Sequence, residues 1–159
     1  MIEEITVTIT VNGRAVTKNA GGHLSLLRWL REVAAITDTK CGCGEGVCGA
    51  CSVLVDGQVV SSCIVLAAQV DGAEVTTAAG LCEDDGSFSP IQEAFHQYHA
   101  VQCGFCTPGM LVCASAMLAE RTDRSRDEIR DALHGNLCRC TGYGPIVDAI
   151  EAVQEGRFS

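Results

Sequence analysis

Eleven cysteines in 159 residues are the strongest chemical feature of this chain. Cys43, Cys48, Cys51 and Cys63 stand in a C-x4-C-x2-C order followed by a distant fourth cysteine. That is the plant-type spacing for a [2Fe–2S] cluster, with three thiolates drawn from one wrapping loop and one from elsewhere. The loop is dense in glycine, at Gly42, Gly44, Gly46 and Gly49, so its backbone can take positive φ and approach inorganic sulfide closely. Successive N–H groups can then point at an anionic cluster. Such hydrogen bonds favour the reduced, more negative state and raise the potential. A structural zinc site is the alternative. Zinc usually takes pairs spaced C-x2–4-C, often with histidine, and the x4 gap with a remote fourth cysteine suits iron–sulfur better.

A second set comprises Cys103-x2-Cys106 and Cys138-x-Cys140. Each pair sits beside a predicted helix start, at Thr107-Pro108 and Gly144-Pro145. Helix N-termini carry partial positive charge and free N–H groups that would stabilise an anionic cluster. By spacing alone this set is less distinctive, and zinc or a thiol–disulfide pair stays open. A thioredoxin-type redox motif would need a βαβ context that the surrounding pattern lacks.

The remaining candidates read as structural. Cys41, Cys82 and Cys113 are left over from both sets, and free cysteine commonly packs as a small hydrophobe. His23, His96, His99 and His134 read as solvent-facing, since neither cysteine set lacks its four thiolates. Arg139, between two candidate ligands, is assigned a structural role, and Trp29 belongs to the core. Gly44-Glu45-Gly46-Val47-Cys48-Gly49 satisfies G-x-G-x-x-G, but a dinucleotide site needs a strand before it and a helix after it. The residues after this motif, Ser52 to Val55, are instead a β-like run that ends in a hairpin turn.

These loops must be held by something, and the pattern of apolar residues says what. Ile5, Val7, Ile9 and Val11 alternate with threonines, the period of a half-buried strand. Asn12-Gly13 then marks a tight hairpin, with Arg14 to Thr17 as the return strand. Ser25 is the expected N-cap of a helix from Leu26 to Val33 with a stripe of Leu26, Leu27, Leu30, Val33 and Ala34. Val53 to Val55, Asp56-Gly57, and Val59 with Val60 form a second hairpin, and Val75 to Thr77 a last short strand. Residues 1–77 thus read as one small α+β domain, with residues 78–88 as a linker. From residue 89 to 159 the character is helical. Ser89-Pro90-Ile91-Gln92 and Ser125 with Glu128 are capping boxes. Helices are expected from Pro90, from Thr107 to Glu120, from Ser125, and from Pro145, which together make a four-helix bundle.

Composition bounds the partners. Hydrophobic residues make up 47% and the formal charge is −9, so the chain is globular and unsuited to nucleic acid, whose phosphates need basic surface. Two oxidised clusters would take the charge to about −13. No apolar run reaches the length that spans a bilayer, so no membrane insertion is expected. Met1-Ile2-Glu3-Glu4 is acidic and has no basic leader-like region. With a cysteine content that fits metal binding better than disulfides, it predicts a cytoplasmic location.

With both cysteine sets in view, the stretches CGCGEGVCGACSVLVDG, VQCGFCTPGML and GNLCRCTGYGPI resemble the small iron–sulfur subunit of the xanthine oxidase family, the molybdenum hydroxylases. The resemblance runs from the first strand to about Val153. It implies a β-grasp, ferredoxin-like N-terminal domain that binds one cluster through Cys43, Cys48, Cys51 and Cys63. It implies a C-terminal four-helix domain that binds a second through Cys103, Cys106, Cys138 and Cys140. Gln102 and Cys140 would face the molybdopterin of a large partner subunit, and the ferredoxin-like cluster would lie towards FAD in a medium subunit. Electrons would run from molybdenum to the helical-domain cluster, then to the ferredoxin-like cluster, then to FAD. The complex would oxidise an N-heteroaromatic, purine or aldehyde, as a hetero-oligomer such as a dimer of heterotrimers. No substrate site would lie in this chain, so catalysis would need the partners. The alternative is a free-standing two-cluster ferredoxin-type electron carrier.

Overall fold

The computed structural model describes residues 4–120 and 123–158. Of the acidic N-terminal residues, Met1, Ile2 and Glu3 lie outside the described residues.

The N-terminal part is a mixed five-stranded sheet in the order β2-β1-β5-β3-β4. Strand β1 (Glu4–Val11) pairs antiparallel with β2 (Arg14–Gly21) across a turn in which Asn12 and Gly13 both have positive φ, 50° and 76°. Val7, Ile9 and Val11 point into the core. The return strand runs four residues beyond the expected Thr17, with Glu4 opposite Gly21. It is an edge strand with only Ala20 buried, so it shows no apolar alternation to read. Polar cross-strand pairs hold it instead, Thr6 with Asn19 and Thr8 with Thr17, each at 2.9 Å. Strands β3 (Ser52–Val55) and β4 (Gln58–Ser61) form the second hairpin, turning on Asp56 and Gly57. Strand β5 (Glu74–Thr76) lies between the two hairpins, parallel to β1 and antiparallel to β3.

The sheet grasps one helical segment. Ser25 caps it, its hydroxyl accepting from the Arg28 N–H at 3.3 Å. Helix α1 (Leu26–Arg28) widens at once into a π turn over Trp29–Val33, where the Ala34 N–H reaches back five residues to Trp29 at 2.9 Å. The expected helix is therefore present, split into two kinds of turn. Leu26, Trp29 and Leu30 are fully buried against Val7, Ile9, Val53 and Val75, each large side chain contributing about 1.5–3 kcal/mol.

The C-terminal part comprises α2 (Pro90–Gln97), α3 (Thr107–Ala119), α4 (Arg126–Ala132) and α5 (Gly144–Gln154). Both capping boxes form. The Ser89 N–H donates to Gln92 and the Ser125 N–H to Glu128, at 2.9 and 2.8 Å. Arg126 ties α4 to α5 through Asp148 at 2.6 Å and through Glu151. Ile91, Phe95, Met110, Ile129, Leu133, Ile146 and Ile150 fill this core. It shares no residue with the core under the sheet. Between the two parts, Ala78–Leu81 forms a 3-10 turn and Leu81 packs on the helical core.

Candidate metal centres

The loop that runs from the π turn to β3 carries Cys43, Cys48 and Cys51 of the first set, and Cys63 follows β4. Arg31 anchors the start of the loop, its guanidinium donating to the carbonyls of Thr37 and Thr39 at 2.9 and 2.8 Å. The Lys40 N–H closes on Ala50 at 3.3 Å. Gly44, Gly46 and Gly49 all have positive φ, which turns successive amides inward. The N–H groups of Glu45, Val47 and Cys48 donate to the Cys43 sulfur at 3.5, 3.3 and 3.4 Å. The Cys43 N–H donates to Cys48 at 3.3 Å, and the Gly46 N–H to Cys63 at 3.2 Å. The three backbone donors hold the Cys43 thiol down to about 6. Cys63 is pushed up to about 11, first by burial and then by the neighbouring Cys51 thiol. Cys43, Cys48, Cys51 and Cys63 therefore share one neighbourhood. Cys51 is buried, Cys48 and Cys63 are half-buried, and Cys43 is exposed. Cys41 is exposed on the same loop. A side chain at Gly42 would come within 2.7 Å of the Cys48 sulfur and would have to displace it.

The second set gathers at the N-termini of α3 and α5. Cys106 is the residue before α3, and Gly104 turns the chain into it with a φ of 82°. Cys106 is pushed up to about 12 by burial and by the Cys138 thiol beside it. Cys140 is raised chiefly by a hydrogen bond with the Cys103 thiol. Burial pushes Cys138 up, but donors from Thr141, Cys140 and Cys106 outweigh it and hold this thiol low. The Thr141 hydroxyl lies 3.1 Å from the Cys138 sulfur. These four cysteines thus also lie together. Cys103 and Cys140 are exposed, as are Gln102 and Arg139 beside them.

Spacing does not reveal Tyr143. Its hydroxyl accepts from the Cys138 N–H at 2.9 Å and donates to the Asn136 carbonyl at 3.2 Å, and it stands at a left-handed φ of 67° before α5. Trp29 is fully buried, as expected. His23, His96, His99 and His134 are all exposed. Cys113 lies on α3 beside Ser52 and Asn136, its thiol raised mainly by burial. Cys82 accepts from Gln92 at 3.6 Å. Among the described residues, no three His, Cys, Asp or Glu side chains close around a point that could hold one metal ion.

The two loops meet. The Leu137 N–H donates to the Cys48 carbonyl at 2.9 Å, and Asn136 donates to the Gly49 carbonyl at 3.3 Å. A side chain at Gly109 on α3 would approach the Gly49 carbonyl to 2.1 Å. Phe105, from the second loop, reaches over Gly42 of the first.

Comparison with known proteins bears on both centres. Residues 9–82 match the 2Fe-2S iron-sulfur cluster binding domain, and residues 77–151 match the [2Fe-2S] binding domain. The chain is 45% identical to the nicotine 6-hydroxylase small subunit of Paenarthrobacter nicotinovorans, over 93% of this chain and 88% of that one. It is 44% identical to the xanthine dehydrogenase iron-sulfur-binding subunit of Escherichia coli O157:H7, over 93% of each. The structure is similar to that of quinoline 2-oxidoreductase from Pseudomonas putida 86, with a TM-score of 0.91 and 44% identity over 96% of this chain and 95% of that one. Two cluster-binding domains in series, matched along nearly their whole length by such subunits, show that the chain belongs to the small iron–sulfur subunits of the molybdenum hydroxylases, the xanthine oxidase family.

Proposed function

We propose that Cys43, Cys48, Cys51 and Cys63 hold one [2Fe–2S] cluster and that Cys103, Cys106, Cys138 and Cys140 hold the other. The observation that carries this reading is the pair of four-thiol groups, each with amide or hydroxyl donors aimed at sulfur. That donor set fits the group. Each iron of such a cluster takes two protein thiolates besides its bridging sulfides, so no third donor has to converge on a single ion, as a zinc site would require. When bound, the clusters supply one-electron transfer. The chain's own part is to fix the thiols, to aim N–H groups at the negative charge, and to keep the two loops in contact. We place the domains at residues 1–77 and 89–159, joined by 78–88, in keeping with the two separate cores.

The chain then carries electrons from a molybdopterin in a large partner subunit to FAD in a medium one. Gln102 and Cys140, both exposed, face the pterin side. Val101, Phe105 and Leu137 are exposed apolar side chains on the loops of the second set, and Val47 and Ile64 flank the first. Exposed apolar rims of this kind mark contact with other chains. Relatives named for nicotine, xanthine and quinoline favour an N-heteroaromatic substrate, bound outside this chain. No helix among the described residues is long and apolar enough to cross a membrane. A cytoplasmic setting would keep the eleven thiols reduced.

Purification from the native host tests the reading. Co-elution with two larger subunits, molybdenum, FAD, iron and acid-labile sulfide is expected, with two distinct EPR signals on reduction. Elution alone without molybdenum would favour a free-standing two-cluster carrier, and zinc without sulfide would overturn both.

A further inference from the structure

We propose that Asn136 is a positioning residue for electron transfer between the two cysteine loops, and that Tyr143 holds it in place. The inference rests on the two-cluster reading of the proposed function. Asn136 is a polar residue only 5% exposed, set in the seam between the sheet and the helices. Its side chain donates to the Gly49 carbonyl at 3.3 Å, next to Cys48 in the first loop. Its own carbonyl accepts from Tyr143, whose hydroxyl in turn accepts from the Cys138 N–H. One tyrosine oxygen and one asparagine amide therefore link a cysteine of the second set to the backbone of the first.

The seam leaves no slack around this link. A Cβ at Gly49 would come within 2.3 Å of the Gly135 carbonyl and 2.6 Å of the Asn136 amide nitrogen. On the far side, a Cβ at Gly109 would strike the Gly49 carbonyl. The Gly49 peptide is thus wedged between α3 and the turn carrying Asn136. A buried amide in such a place costs stability unless it is satisfied, and the Asn136 amide is satisfied by a carbonyl across the seam. Removing the amide takes away the directional tie across the seam and leaves the Gly49 carbonyl only the Ser52 N–H of its own loop, at 3.1 Å. The loops can then separate, and electron transfer falls steeply with distance.

Asn136→Leu, of similar volume but without the amide, tests this in the complex assembled with its partner subunits. Iron and acid-labile sulfide should match the wild type. The spin–spin splitting between the two reduced clusters, which varies with the inverse cube of their separation, should narrow. In turnover, kcat should fall about tenfold while kcat/KM for the reducing substrate is unchanged, because the first half-reaction precedes the affected step. Full loading with wild-type splitting and wild-type kcat would overturn the proposal. Should Asn136→Leu fail to fold or to load, Tyr143→Phe carries the same test, since it deletes one hydroxyl and little volume. Wild-type splitting and kcat in that variant would overturn the proposal equally. A wild-type complex with no acid-labile sulfide would instead sink the two-cluster reading, and this inference with it.

Discussion

The Leu137 N–H donates to the Cys48 carbonyl at 2.9 Å, so a single backbone hydrogen bond separates a cysteine of the first set from the residue preceding Cys138. Two loops with separate hydrophobic cores behind them are thereby joined at this seam. The contact is closed on glycine. A Cβ at Gly109 would strike the Gly49 carbonyl, and one at Gly49 would strike the Gly135 carbonyl and Asn136, so neither position accepts a side chain unless the seam shifts.

Gly109→Ala should therefore weaken the seam before it affects any cysteine. The added methyl would meet the Gly49 carbonyl at 2.1 Å, and backbone cannot yield as a flexible side chain would. Overpacking of this kind costs about 1–3 kcal/mol. Urea unfolding of the loaded chain should show a lower midpoint. An unchanged midpoint would mean that the two parts do not rely on this approach.

Cys43→Ser should act on one centre alone. The Cys43 sulfur collects three amide donors from its own loop, and none of the second set's thiols takes part in that arrangement. The EPR signal of the ferredoxin-like cluster should change or vanish while the helical-domain signal persists. Equal loss of both in a folded chain would contradict the assignment of cysteines to two independent sites.

Much of this was legible in the residues. The alternation of Val7, Ile9 and Val11, the Asn12-Gly13 and Asp56-Gly57 turns and the two capping boxes each arise from local chemistry, and each is present. The full length of β2 was not, because an edge strand buries almost nothing and so leaves no period. The π turn at Trp29–Val33 was not, because apolar spacing cannot distinguish an i to i+4 ladder from a wider one. Asn136, Tyr143 and Gly109 were invisible for a different reason. Their roles arise from contact between separate segments of the chain, and nothing in their immediate neighbours encodes the partner.

The acid response of α4 is set by its cap. The Ser125 hydroxyl and N–H both donate to Glu128 and hold its carboxyl below the usual range. A carboxyl with a depressed folded pKa stabilises the fold above its unfolded value, about 4.3, and that contribution disappears as pH falls through the folded pKa. The stability gap between wild type and Glu128→Gln should accordingly be full at neutral pH and close below about pH 4. Ser125→Ala should cost about 1 kcal/mol at neutral pH. Urea midpoints across pH check both, and a gap that widened in acid would refute the sign.

The potential of the second centre should be set in part by Thr141. Its hydroxyl lies 3.1 Å from the Cys138 sulfur and its N–H 3.5 Å away, while the same hydroxyl accepts from the Tyr143 N–H at 3.1 Å. The oxygen is thus oriented by one amide and has its own proton free for sulfur. A donor to thiolate favours the reduced cluster, whose charge is more negative. Thr141→Val keeps the shape and removes the proton, so the reduced state loses a hydrogen bond worth about 1 kcal/mol. For a one-electron couple that is a shift on the order of 40 mV to more negative potential. The cluster proposed for the Cys43 loop should keep its potential, since the donors to that loop's sulfurs are its own amides. Redox titration followed by EPR resolves the two centres. A positive shift, or an equal shift in both, would show that Thr141 does not tune the potential through Cys138.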